Sequence, residues 1–318
     1  MLNKFFYKII EKIILFIKYL NLHHKIFDKL VFNVGINQLI LSRQNYKNYK
    51  TLYEADLKVF SQNGEDGIID YIVHQLGIPS PNFVEIGVGD YRESNTRFLY
   101  NRVYPKGLIV DCMSELHAKV KPYVNLWKGD LRICQKIVTE KNIEEILNKY
   151  CDYNIDIFSM DIDSIDYWII SKLRPNISKV FIAEYNPVFA PNLEVTVPNI
   201  DSFDRTKYHY SGLCYGLSLK ALVNLMEKKN YYFLGTNLQN MNAFFISNDL
   251  KKDTFFPNID LKNLANYSDS NIRESRDHSH KLTYLSGEKK LKEIENCEVI
   301  DLSDPKKKLV KLKDIIDK

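Results

Sequence analysis

Two tryptophans stand against 21 tyrosines in 318 residues, and the five cysteines (Cys112, Cys134, Cys151, Cys214 and Cys297) include no CxxC pair. Thiols scattered without ligand spacing argue against a structural zinc module and read as reduced cysteines of a cytosolic protein. No uncharged apolar run approaches the ~20 residues that a bilayer span needs. Lysines interrupt the apolar stretch near the start, and no small-residue cleavage site follows it, so it makes a poor secretory leader. The spaced GxGxxG turn of dinucleotide-binding dehydrogenases is missing, and so is any internal repeat. The formal charge is only +4, largely from lysines in residues 1–50 and the last turns of the chain. That distribution argues against a nucleic-acid groove and admits contact with an anionic surface.

What the chain does contain is organised around Asn82 to Phe98, NFVEIGVGDYRESNTRF. Phe83, Val84 and Ile86 read as a short buried strand that carries an acid, Glu85. Gly87, Gly89 and Asp90 form a turn, and from Ser94 the residues can enter a helix. Strand, glycine turn and helix are how an open α/β sheet offers backbone N–H groups to a nucleotide-like ligand, and glycine keeps Cβ atoms out of its way. KGLIVD follows as a second strand ending in Asp111, placed either to accept ribose hydroxyls roughly 20 residues past the turn or simply to cap the strand's end. DIFSMDID is a third strand with Asp161 and Asp163 at its end, and KVFIAE a fourth, ending in Glu184 before Tyr185 and Asn186. Helices between them predict a parallel sheet with right-handed crossovers, whose ligand lies beyond the carboxyl ends of the strands.

The rest of the chain frames this core. Residues 3–20 have helical spacing, with lysines on one arc and Phe, Ile and Leu elsewhere, as in a helix packed on the main domain or on a partner chain, or lying on the inner membrane leaflet. Residues 21–50 read as a helical lead-in, with His23 and His24 on the surface. SQNGED precedes an amphipathic helix; its polar groups either cap that helix or lean over the ligand. Residues 190–216 lack a period and read as a functional insert carrying Asp204, Arg205, His209 and Tyr210. Tyr231 to Gly235 and Ala243 to Ser247 predict an antiparallel closing pair. A charged helix over Glu288 to Glu295, a strand at CEVIDLS and a basic tail helix at KKKLVKLKDIIDK complete the expectation. The organisation is a helical extension (1–50), a Rossmann-like α/β body (51–250) and a C-terminal extension (251–318).

Together the blocks EIGVGD, SQNGEDGII, DYRESNTRFL, DIDSIDYW, AEYNPVF and MNAFFIS resemble a bacterial branch of class I S-adenosylmethionine-dependent methyltransferases, similar to the FkbM-like sugar methyltransferases found with surface-polysaccharide genes. The likeness covers residues 50–250, and Asp90 stands where the family's turn carries a third glycine. It implies that Gln62, Glu85, Gly87, Gly89, Asp90, Asn95 and Asp111 face the cofactor, with Asp161 on the substrate side. It also implies Mg2+ held by Asp161 and Glu184, completed by Asp163 or Asn186. Methyl transfer is an in-line displacement governed by orientation, and a sugar hydroxyl needs a base or metal to lose its proton. Asp161 is expected to bind the acceptor hydroxyl, and Asp163 or His209 to take its proton. The acceptor would be a sugar, nucleotide sugar or lipid-linked glycan of capsule or lipopolysaccharide synthesis, with the enzyme cytoplasmic, peripheral at the inner membrane or self-associated. The rival readings are a non-catalytic scaffold on the same fold and a metal-dependent enzyme acting on a nucleotide sugar without a methyl donor.

Overall fold

The computed structural model describes residues 25–253, 270 and 274–316, together with residue 12. Apart from residue 12, the expected helix over residues 3–20 therefore lies outside the described residues, as do His23 and His24. Two compact units divide at Asn45 and Tyr46. In the first, residues 25–43 are helical, as the lead-in was expected to be. No described helix is long and apolar enough to cross a membrane.

The second unit is α/β. Its main sheet runs β3-β2-β1-β4-β5-β8-β7, from β1 (Phe83–Ile86), β2 (Gly107–Asp111), β3 (Leu131–Gln135), β4 (Ile157–Met160), β5 (Val180–Glu184), β7 (Tyr231–Thr236) and β8 (Asn242–Ser247). The first five pair in parallel, while β8 runs antiparallel to both β5 and β7. The strand order reverses between β1 and β4, and it is beyond such a switch point that an open sheet opens its ligand crevice. Alternate residues of each strand serve opposite faces. Val84, Ile86, Leu108 and Val110 join one apolar cluster with the helices Ile143–Tyr150, Asp166–Lys172 and Leu219–Lys228. Phe83 and Ile109 join another with the helices Glu65–Gln75 and Arg97–Val103. Helices on both faces are what the strand–helix alternation predicted.

Two elements differ from expectation. The edge strand β3 carries Arg132 and Gln135 among its five residues, so it shows no apolar run, yet it continues the parallel ladder beyond β2. The basic tail is not one helix: Lys308–Lys311 is a strand, β10, antiparallel to β9 (Glu298–Asp301), and only Lys313–Ile316 is helical. β9 also pairs with β6 (Val195–Thr196), a short strand inside the long insert, so a small second sheet ties residues 195–196 to 298–311.

The SQNGED segment both caps and leans inward. Ser61 Oγ accepts the Asp66 N–H at 3.1 Å. The Asp66 carboxylate accepts the N–H groups of Val59, Phe60 and Ser61 at 2.6 to 2.8 Å. Glu65 accepts the side-chain amides of Asn237 and Asn242, fastening the loop to the β7–β8 hairpin. Asp66 is buried, so Asp66→Ala leaves three backbone donors without their acceptor. The expected loss is about 3 kcal/mol, measured as a shift of the urea midpoint with unchanged slope; a loss below about 0.5 kcal/mol would show that the loop finds other acceptors.

Candidate active site

Four strand ends build the site. After β1 the chain turns at Gly87 (φ 85°) and Gly89 (φ 54°), conformations that residues with a Cβ rarely adopt. The two glycines differ in what surrounds them. A Cβ on Gly87 would lie 1.4 Å from the Asp161 carbonyl oxygen, whereas one on Gly89 would meet nothing within 4 Å. Gly87 thus serves the approach of β1 to β4, and only Gly89 faces open space. Asp111, at the end of β2, accepts the Gly89 N–H through Oδ2 and the Met113 N–H through Oδ1, both at 2.7 Å. A cleft of about 880 Å³ lies over these groups, with Gln62, Gly87, Gly89, Asp90, Asp111, Asp161 and Asp163 on its walls. Asp90 is at the rim, ion-paired with the exposed Arg92 at 2.8 Å.

Glu85 and Asn95 line neither this cleft nor the cavity beside it, which corrects the expectation that they face a cofactor. Strand alternation aims Glu85 to the face shared with Phe83. There its carboxylate accepts the N–H groups of Asn95 and Thr96 at 2.8 and 3.0 Å, and the Asn95 side chain donates to Ser159 Oγ at 3.1 Å. Burial pushes Glu85 up to about 7 against those hydrogen bonds. Its work is to hold the entry to the helix Arg97–Val103.

At the ends of β4 and β5, single carboxylate oxygens of Asp161, Asp163 and Glu184 lie within 4.8 Å of one another. The loop between them is set by Asp166, which accepts the Ile162 and Ser164 N–H groups at 3.1 and 3.0 Å. Asp163 sits at φ 53°, a left-handed conformation that Asp tolerates better than most residues. Burial, and then the charge of Asp163, pushes Asp161 up to about 8. Burial and both aspartates push Glu184 well above the usual carboxyl range. Burial raises Asp163 as well, partly offset by Arg205, whose guanidinium bonds Asp163 at 3.0 Å and Glu274 at 3.4 Å. Arg205 also lies over the Tyr215 ring at 5.1 Å, and the Tyr215 hydroxyl donates to Glu184 at 3.4 Å. Three carboxylates converging with raised proton affinity form an oxygen donor set suited to a hard divalent cation.

A second cavity, of about 270 Å³, shares Gln62, Asp161 and Asp163 with the cleft and adds Glu184. Tyr215, Glu274 and Lys290 on its walls come from stretches with no local signature. Two expected participants stand elsewhere. The Asn186 amide donates to the Leu213 and Tyr215 carbonyls at 2.8 and 3.0 Å, and its Oδ1 accepts the Val188 N–H. It therefore positions the Tyr215 stretch, and Asp163 is the third member of the acid cluster. His209 Nδ1 pairs with Ser211 Oγ at 2.7 Å and the ring packs on Tyr210; it lines neither cavity.

No protein-family model matches the chain, and no curated protein matches it. Among solved structures, an S-adenosylmethionine-dependent methyltransferase from Clostridium acetobutylicum is similar at 10% identity and TM-score 0.34, over 56% of this chain and 89% of that one. The N-terminal domain of EvdMO1, crystallised in the presence of SAH and D-fucose, is similar at 8% identity and TM-score 0.36, over 55% and 78%. An arsenic(III) S-adenosylmethionine methyltransferase from Chlamydomonas reinhardtii follows at 11% and 0.31, over 52% and 62%. Likeness this distant assigns no chemistry, which has to come from the residues of this chain.

The raised carboxyls carry a pH signature. An entering divalent ion displaces their protons, so its affinity should rise with pH toward about 8, by about tenfold per unit for each proton released. Calorimetry with Mn2+ between roughly pH 6 and 8.5, in buffers of different ionisation enthalpy, measures both affinity and proton release. Mn2+ affinity flat across that window, or undiminished in Asp163→Asn, would remove the ion from this site.

Proposed function

We propose that the protein is an S-adenosylmethionine-dependent methyltransferase that O-methylates a sugar or glycan. The observation that carries this is where the resembling blocks lie. SQNGED gives Gln62 and Asn63 to the cavity walls, EIGVGD gives Gly87 to Asp90, and DYRES gives Arg92 and Glu93. DIDSIDYW gives Asp161 to Ile165, AEYNPVF gives Glu184 and Val188, and MNAFFIS gives Met241. Blocks dispersed over the sequence thus become the walls of two joined cavities. The larger is within the range for a cofactor-sized ligand.

In this reading the large cleft holds the cofactor, with Gly89 against its methionine part and Asp111 at its ribose; when bound, the sulfonium supplies an electrophilic methyl group. The cluster Asp161, Asp163 and Glu184 would hold Mg2+, which would supply Lewis acidity toward an acceptor oxygen. Asp161 lies on both cavities, so it meets the acceptor hydroxyl where the two join. Burial raises the proton affinity of Asp163, which suits proton acceptance, and that role falls to Asp163 beside it. Arg205 and Tyr215 fix the orientation of Asp163 and Glu184. The acceptor is a free, nucleotide-linked or lipid-linked sugar of capsule or lipopolysaccharide synthesis, met in the cytoplasm or at the inner membrane surface.

Calorimetry with S-adenosylhomocysteine tests the cofactor site. Asp111→Asn should weaken binding by about tenfold while the far-ultraviolet circular dichroism stays unchanged; the absence of heat in the wild type would favour a scaffold. Asp161→Ala should keep cofactor affinity within about twofold and lose methyl transfer, and full activity in that variant ends the assignment. Activity that persists without S-adenosylmethionine but dies with chelator would move the acid cluster to other chemistry.

A further inference from the structure

The helix over residues 25–43 lines neither cavity. Six of the fourteen large apolar side chains exposed among the described residues nevertheless belong to it: Ile26, Phe27, Leu30, Val34, Ile40 and Leu41. Single exposed apolar side chains are ordinary, but a contiguous patch marks an interaction surface. Four of the six repeat as a coiled-coil seam does. Phe27, Leu30, Val34 and Leu41 follow one another at three, four and seven residues, and they are 66%, 57%, 67% and 55% exposed. Asn37 fills the one remaining seam position and is exposed too. At about 100° per residue, the stripe Phe32, Gly35 and Leu39 lies on another side of the helix. That stripe is buried or half-buried, Leu39 to 2% exposure. The seam is therefore turned out while a different side is packed.

Charge placement and period decide what covers the seam. The charged residues of the helix are Lys25, Asp28, Lys29 and Arg43. All four lie outside the seam and outside the positions that flank it, Ile26, Val31, Asn33, Gln38 and Ile40. Two copies of this face therefore meet without like charges at their margins. The same three-four spacing runs back through the sequence as Phe6, Ile9, Ile13, Phe16, Leu20 and His23. A repeat averaging 3.5 residues keeps one stripe facing a helix that supercoils with it. A lipid surface imposes no such repeat and offers a buried amide no partner. A second helix does. In a parallel, in-register pair Asn37 meets Asn37, amide to amide, whereas an antiparallel pair that keeps the whole seam in contact sets it against an apolar side chain.

Independently of the methyltransferase reading, we propose that the seam Phe27, Leu30, Val34, Asn37 and Leu41 docks on the same seam of a second copy of this chain, as a parallel two-stranded coiled coil. Asn37 fixes the register at some cost in affinity.

Sedimentation equilibrium of the full chain between about 1 and 200 µM tests this. The wild type should be dimeric at the upper end. Leu30→Glu combined with Val34→Glu should weaken association by at least about tenfold with unchanged far-ultraviolet circular dichroism. Asn37→Leu, which adds apolar surface and leaves no charge, should instead tighten association, so a double variant that misfolds does not leave the seam untested. Val34→Cys, treated with oxidised glutathione, should give a disulfide-linked dimer on a non-reducing gel that the wild type does not form, because only a parallel, in-register pair brings residue 34 of both copies together. A wild type monomeric throughout, association unmoved in both the double variant and Asn37→Leu, or Val34→Cys without the linked dimer would each overturn the proposal. A monomer that sediments with phosphatidylglycerol vesicles, and ceases to in the double variant, would give this face to a membrane instead.

Discussion

The closeness of β1 to β4 at their carboxyl ends is the constraint on which the rest depends. The Asp161 N–H donates to the Ile86 carbonyl at 3.0 Å, and the Gly87 N–H to the Val110 carbonyl at 2.9 Å. Three strand ends are thereby locked into one register. The Asp161 carbonyl occupies the space a Cβ at residue 87 would need. Any side chain there would push β4 away from the turn and carry Asp161 off the wall it shares with the cleft. The glycine that looked like a seat for a ligand is first a seat for the neighbouring strand, and the site exists because that approach is possible.

Gathering the acids has a cost that the surroundings partly offset. Each carboxyl at the ends of β4 and β5 is disfavoured as an anion by burial and by its neighbours. Arg205 and Tyr215 return part of this through one ion pair and one hydrogen bond, but the cluster keeps a raised affinity for positive charge. A packed structural core gains nothing from such an arrangement. Perturbed carboxyls beside a cleft are what acid–base and metal chemistry require.

The parallel core was legible because its strands are short apolar runs ending in acids, separated by helical spacing. Gly89, Asp111, Asp161, Asp163 and Glu184 could be placed from that pattern alone, since a strand's end locates its last side chain. Glu85 was misread because an acid inside a strand looks functional until the alternation is followed: two-residue periodicity sends it to the far face, where helix N–H groups wait. β3 was invisible because an edge strand needs only one apolar face. Asn186 follows an acid-ended strand and looked like a ligand, but an amide offers donors as well as an acceptor, and two carbonyls claimed them. Tyr215, Glu274 and Lys290 reach the second cavity from distant, aperiodic stretches, and no local pattern reveals a contact made across the fold.

The small sheet that joins β6 to β9 and β10 has a temporal meaning. Thr196 finds its partner Ile300 only after the chain between them has been made, and Glu274 and Lys290 reach the second cavity from the same late segment. The parallel strands that carry the large cleft are complete much earlier and pair mainly with neighbours in sequence. During synthesis the half that carries the large cleft can therefore consolidate first, while the smaller chamber waits on long-range closure, the slower kind of contact. A nascent chain released too soon would own a socket without a floor for its guest.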